Sequence, residues 1–115
     1  MLKTIPELLQ EAGKNVRRIS AESAQRELDE NKGLMIDVRE PAEHQAKGAP
    51  GAINIPRGLL EMKLMEIEKD PARPIYLHCA TSARATLSAE QLVRLGYTNV
   101  SVITCDVDTI KKVTS

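Results

Sequence analysis

"YLHCATSARA", residues 76–85, joins an aliphatic run to a helical pattern. The run "PIYLHC" (74–79) is predicted to be a buried strand, and Cys79 stands at its carboxyl end. Small and hydroxylated residues follow, namely Ala80, Thr81, Ser82 and Ala83. Arg84 then begins a helical pattern that runs to Leu95 and stops at Gly96. A strand–loop–helix unit gathers the loop N–H groups and the unpaired first N–H groups of the helix around one concavity. The helix dipole adds partial positive charge there. Such a nest favours the thiolate form of a cysteine at its mouth, and Arg84 adds a permanent cation. The same residues admit a plainer reading. Cys79 then packs as a small hydrophobe, and Thr81 and Ser82 cap the helix. The small side chains at 80–83 favour the first reading, because they leave the loop amides accessible.

Strands alternate with helices along the chain. Thr4 caps a first helix over about 4–13, and "NVRRIS" (15–20) is a short strand. Ser20 caps a helix to about Asn31, with Lys32-Gly33 as its stop. "LMIDVR" (34–39) is a second aliphatic strand, and "EPAEHQAK" (40–47) a short helix with Pro41 in first position. "APGAINIP" (49–56) reads as a turn and a short strand. "RGLLEMKLMEIEK" (57–69) reads as a helix whose Leu/Met stripe over 60–67 belongs to the core. "NVSVIT" (99–104) and "DVDTIKK" (106–112) supply a last strand and helix. This alternation predicts an α/β domain with a mostly parallel sheet, whose sites lie at the carboxyl ends of strands. Cys79 occupies one such end and Cys105 another.

At 115 residues the chain is predicted to be a single domain over 1–115. It has no Trp or Phe and only 2 Tyr, so a stacking surface for single-stranded nucleic acid is not expected. Sixteen basic and 16 acidic residues cancel, which leaves no basic stripe for a phosphate backbone. The charged N-terminus does not read as a signal peptide, and no stretch is apolar enough to span a bilayer. A cytoplasmic protein with reduced thiols is the expectation. Two cysteines make neither a disulfide scaffold nor a complete zinc site, and no cofactor is implied.

Two stretches together carry a resemblance. "MIDVREPAEHQAKGAPGAINIP" resembles the first signature of the rhodanese-like (sulfurtransferase) family. "IYLHCATSARA", followed by "LVRLGYTNVSVI", resembles its active-site strand, loop, helix and last strand. The resemblance covers about 15–112. It implies a central, mostly parallel sheet of about five strands with helices on both faces, and a single catalytic cysteine, which maps to Cys79. The implied chemistry is sulfur transfer from a small-molecule donor, thiosulfate or a persulfide, through a Cys79 persulfide to a thiol or cyanide. A sulfur-carrier protein is a further candidate partner. The N–H groups of Ala80, Thr81, Ser82, Ala83 and Arg84 would stabilise the anionic persulfide, and Arg84 would attract anionic donors. A related phosphatase group places its arginine after five intervening residues. Here there are four, which resembles the sulfur-handling loop.

The chain departs from the family pattern at several places. Ser82 stands where glycine is common, Ala85 where serine is common, and Gly48 where the family has histidine. Cys105-Asp106 replaces a glycine pair, and Ile110 a tryptophan. A bulkier Cys-Asp pair would narrow the pocket, and Asp106 would repel anionic donors. These departures motivate a second expectation, a rhodanese-fold binding module with little turnover. A third is a redox protein pairing Cys79 with Cys105; against it, Cys105 reads as a free buried thiol. Asp37 and Arg39 are expected to pair and to fix the chain after their strand. Alternation turns His78 away from the Cys79 side, as a satisfied structural histidine. His44 is expected to pack, and Arg57 to be a solvated helix start, with a place near the pocket mouth as the alternative.

Overall fold

The structure, a computed structural model, describes residues 1–114. Its centre is a sheet of five strands: β1 (Arg17–Ile19), β2 (Leu34–Asp37), β3 (Ile53–Asn54), β4 (Ile75–His78) and β5 (Val100–Ile103). All neighbouring pairs are parallel, in the order β1-β5-β4-β2-β3. The helices are α1 (Ile5–Gly13), α2 (Ala21–Asn31), α3 (Pro41–Ala46), α4 (Leu60–Ile67), α5 (Ala83–Leu95) and α6 (Val107–Thr114), and a 3-10 turn at Arg57–Leu59 precedes α4. The expected α/β architecture is present, and every expected element forms within a few residues of its predicted bounds.

Alternation along the strands sorts the core into two layers. Ile75, Leu77 and Cys79 face one way with Ile36, Val38 and Val102, and pack under Leu60 and Leu64 of α4 and Ala85, Ala89 and Leu92 of α5. Met35, Tyr76 and Ile103 face the other way, against Ala21 and Ala24 of α2 and Ile110 of α6. With both faces covered, the central strands are apolar on both sides, as a parallel sheet requires. The two tyrosines, Tyr76 and Tyr97, join an otherwise aliphatic core.

Local chemistry sets the helix ends. Thr4 Oγ1 accepts the Glu7 N–H at 3.2 Å, and Ser20 Oγ accepts the Ser23 N–H at 3.2 Å. Gly96 closes α5 at φ 117°, a left-handed position that favours glycine. At the end of α2 Lys32, and not Gly33, takes the left-handed position, at φ 55°. The stripe over 60–67 needs correction as well. Leu60 and Leu64 are buried, but Met62, Met65 and Ile67 are exposed. One helical turn separates Leu60 from Leu64 and puts both on the sheet side. Met62 and Met65 fall on the opposite side, and Ile67 is the last residue before the chain leaves the helix.

Candidate active site

Cys79 follows directly on β4 and lies at the start of the loop that leads into α5. Its residue is only 1% exposed, and its Sγ accepts the backbone N–H of Ala85 at 3.3 Å. That donor lies in the first turn of α5, where N–H groups have no partner inside the helix. It is one residue beyond the stretch 80–84 that the sequence suggests as the cradle. The loop residues Ala80, Ser82, Ala83 and Arg84 are half-buried and Thr81 is exposed.

Ser82 is the N-cap of α5, yet its side chain makes no capping hydrogen bond, so the capping role read from sequence does not hold for it. Its backbone sits at φ 76°. This is the left-handed region, and a non-glycine residue there carries roughly 1–2 kcal/mol of strain. The Ser82 carbonyl compensates in part by accepting both the N–H and the hydroxyl of Thr86, at 2.9 and 2.8 Å. Replacing Ser82 with glycine is therefore expected to stabilise the fold by about 1 kcal/mol. Urea unfolding checks this, and an unchanged or lower midpoint would contradict the strain.

Arg84 is not free. Its two terminal nitrogens meet the two carboxylate oxygens of Glu43 on α3, at 2.7 and 3.0 Å. Glu43 Oε1 also accepts the Glu40 N–H at 3.0 Å. The Arg84 guanidinium, with help from that N–H, pulls the Glu43 carboxyl down to about 2. Reciprocally, Glu43 above all holds Arg84 above its usual range, and a charge on Cys79 and Asp37 adds to the effect. Arg84 and Ser88 line a groove of about 420 Å³ together with Glu40, Arg57, Glu61 and Gln91. Arg57 is exposed, as a solvated helix start would be, and it faces the same groove as Arg84, in line with the alternative place near the pocket mouth. A smaller groove of about 190 Å³, between Met65, Pro71, Leu95 and Tyr97, lies near the amino ends of β4 and β5, away from the thiol.

Beneath α3 lies a buried polar knot. Asp37 Oδ1 accepts the backbone N–H and the Nε–H of Arg39, both at 3.0 Å. Its Oδ2 accepts Arg39 Nη2 at 2.8 Å and His44 Nδ1 at 2.9 Å. Arg39 also donates to the Lys47 carbonyl at 2.6 Å, and the Asn54 amide bridges the carbonyls of Asp37 and Arg39 at 3.0 and 2.9 Å. The expected Asp37–Arg39 pairing is present. His44, expected to pack, is instead a third member of this network. Burial alone would raise the Asp37 pKa, but hydrogen bonds from Arg39 and His44 hold it below the usual carboxylate range. The knot fixes α3 at both ends and so places Glu43 against Arg84.

His78 pairs in register with Asp37 and is fully buried. It faces away from the Cys79 side, as alternation predicts, but it is not satisfied: neither ring nitrogen has a hydrogen-bond partner. Asp37, its neighbour, has its oxygens taken by Arg39 and His44. Burial pushes the His78 pKa down. Asp37 opposes this, while Arg39 and His44 add to it. A folded-state pKa below the unfolded value means that the unfolded chain binds the proton first. Stability is then lost as pH falls below about 6.5, with a slope of up to about 1.4 kcal/mol per pH unit from this group. Asp37 has its own loss, but only nearer pH 4, below the His78 window. His78→Leu is expected to flatten the urea midpoint between pH 7 and 5. An equal slope in both proteins would contradict the assignment.

The C-terminal departures do not crowd the thiol. Cys105 packs against the α2 and α6 layer, and its Sγ accepts the Ala21 N–H at 3.3 Å. β4 and β5 are neighbours, as the disulfide reading needs, but Cys79 and Cys105 belong to opposite faces of the sheet. The pair is not arranged for a disulfide, and Cys105 is a free, half-buried thiol. Asp106 Oδ1 accepts the Thr109 N–H at 2.8 Å and so caps α6, away from the groove at Arg84. Among the described residues no group of acidic, histidine or cysteine side chains is arranged to hold a metal. Among them, too, no helix is long and apolar enough to cross a membrane.

A family model for the rhodanese-like domain matches residues 20–112. The chain belongs to the rhodanese-like domain family. It is 34% identical over 86 residues to a sulfurtransferase of Allochromatium vinosum, covering 74% of this chain and 78% of that protein. Other curated relatives are longer, and the chain spans about half of their length or less. Among solved structures, the polysulfide-sulfur transferase homodimer of Wolinella succinogenes superposes with a TM-score of 0.76 at 30% identity, over 90% of this chain and 78% of that one. A Rhodopseudomonas palustris protein described as a possible tyrosine phosphatase superposes with a TM-score of 0.80 at 20% identity, over 97% and 92% of the two chains, and shows the shared fold alone. The rhodanese resemblance of the two sequence signatures is thereby established, along with membership of a sulfurtransferase family.

Proposed function

We propose that this chain is a single rhodanese-like domain that transfers sulfane sulfur through a persulfide on Cys79, in the reducing cytoplasm. The observation that carries the reading is the contact between the Cys79 sulfur and the Ala85 N–H at the mouth of α5. A donor aimed at the sulfur stabilises negative charge on the thiolate and on the persulfide that replaces it. The Cys79 thiolate attacks the outer sulfur of thiosulfate, the S–S bond breaks, and sulfite leaves with the electron pair. With a persulfide donor, the leaving group is a thiolate. A thiol acceptor or cyanide then attacks the outer sulfur of the Cys79 persulfide, and the Cys79 thiolate departs. Loop residues Ala80, Thr81, Ser82, Ala83 and Arg84 border the incoming donor. The partners are a small-molecule donor and a thiol acceptor, which can be carried on a sulfur-carrier protein.

One observation favours a second reading, a binding module with little turnover: Cys79 is buried and Arg84 is already paired with Glu43. Thiocyanate release from cyanide, with thiosulfate and separately with polysulfide as donor, distinguishes them. Turnover with either donor supports the enzyme. None from folded, reduced protein supports the module.

A further inference from the structure

The groove at the first turn of α5, where the Ala85 N–H next to Arg84 meets the buried thiol, holds two guanidinium groups in different states. Arg84 is engaged by both oxygens of Glu43. The Arg57 guanidinium has no hydrogen bond or ion pair among the described residues. Both line the same cavity. The Arg57 backbone N–H donates to the Val38 carbonyl at 3.0 Å, which anchors the 3-10 turn to the chain leaving β2 and holds Arg57 at the carboxyl edge of the sheet, where Cys79 lies.

Glu43 presents to Arg84 what an anionic ligand would present: two oxygens, one for each terminal nitrogen of the guanidinium. The side chains of the pair are 37% and 38% exposed, so water screens it and the attraction is weak enough for a solute anion to compete. The carboxylate can let go of Arg84 and keep its contact with the Glu40 N–H, so α3 need not unravel. With Glu40 and Glu61 also lining it, the groove as built is a poor trap for a small dianion. It improves when Glu43 turns away.

We propose that Glu43 is a resident carboxylate competitor at Arg84, and that an anionic sulfur donor enters by displacing it, drawn by the unpaired Arg57 across the same groove. This rests on the sulfur-transfer reading of Cys79 and adds to it the two residues that set donor affinity. The Glu43 charge keeps affinity for thiosulfate low, and Arg57 is the arm that counteracts it.

The test uses two alkylating probes of Cys79, anionic iodoacetate and neutral iodoacetamide, with modification at Cys79 followed by peptide mass spectrometry. The ratio of the two rates cancels thiol reactivity and loop opening and reports local attraction for an anion. Glu43→Gln keeps an acceptor for the Glu40 N–H and removes the charge. It is expected to raise the ratio about two- to fivefold at low ionic strength, and Arg57→Gln to lower it by a similar factor. Both effects shrink as salt is added. The thiosulfate concentration giving half-maximal sulfur gain on Cys79 is expected to fall in Glu43→Gln and rise in Arg57→Gln. A ratio unmoved or reversed in either variant overturns the inference, even where sulfur transfer itself is observed. A ratio that moves as expected while wild type gains no sulfur supports the anion groove and rejects the sulfur-transfer reading.

Discussion

Arg39→Met is expected to lower the unfolding free energy by about 3–5 kcal/mol, the usual cost of breaking a buried ion pair from one side. Asp37 is fully buried and Arg39 4% exposed. Methionine fills much of the volume but leaves the Asp37 carboxylate with His44 as its one remaining side-chain donor. The Lys47 carbonyl loses its donor as well. A domain of this size has a net stability of about 5–15 kcal/mol, so the variant should unfold at far lower urea and be partly unfolded at 37 °C. The effect should reach the site, because the knot positions α3 and α3 carries Glu43. A loss below about 1 kcal/mol would mean that the pair merely neutralises itself and that packing around α3 holds the element.

Cys79→Ser is expected to reduce thiocyanate formation by a factor on the order of 10³ or more, to the limit of detection. A serine hydroxyl is a poor nucleophile toward sulfur at neutral pH and cannot form the persulfide. The substitution puts a hydroxyl into an apolar cluster, but Ser Oγ can still accept the Ala85 N–H, so the fold should survive, as circular dichroism would check. Cys105→Ser is the contrasting variant. Its thiol lies on the other face of the sheet, against α2, and turnover should persist. Loss of turnover in Cys105→Ser would revive the two-thiol mechanism despite the geometry.

The strands and helices were legible because each buried element carries its own period. "PIYLHC" and "LMIDVR" are apolar on both faces, and α2 and α5 repeat at helical spacing. The position of Cys79 followed from the same pattern, since a strand end in a parallel sheet is where sites form. What escaped the sequence were pairings that cross between elements. Nothing local marks Glu43 as the partner of Arg84, 41 residues away. The short helix that follows a strand next to β4 was the available signal, because parallel neighbours bring both carboxyl ends to one edge. The sequence suggests only packing for His44, because its contact with Asp37 depends on how α3 folds back over β2. A satisfied His78 is the natural expectation, because buried polar groups usually find partners. Here Arg39 and His44 had already taken the acceptor beside it. Helical spacing places the whole Leu/Met stripe over 60–67 in the core, but only Leu60 and Leu64 face the sheet, and Met62, Met65 and Ile67 are exposed.

Intact-mass spectrometry of the reduced protein, after incubation with thiosulfate and separately with a persulfide donor, shows whether Cys79 carries the transferred sulfur. A gain of one sulfur atom is expected on wild type, absent from Cys79→Ser and removed by cyanide or excess thiol. Folded wild-type protein with Cys79 reduced that gains no sulfur from either donor would contradict sulfur transfer through Cys79.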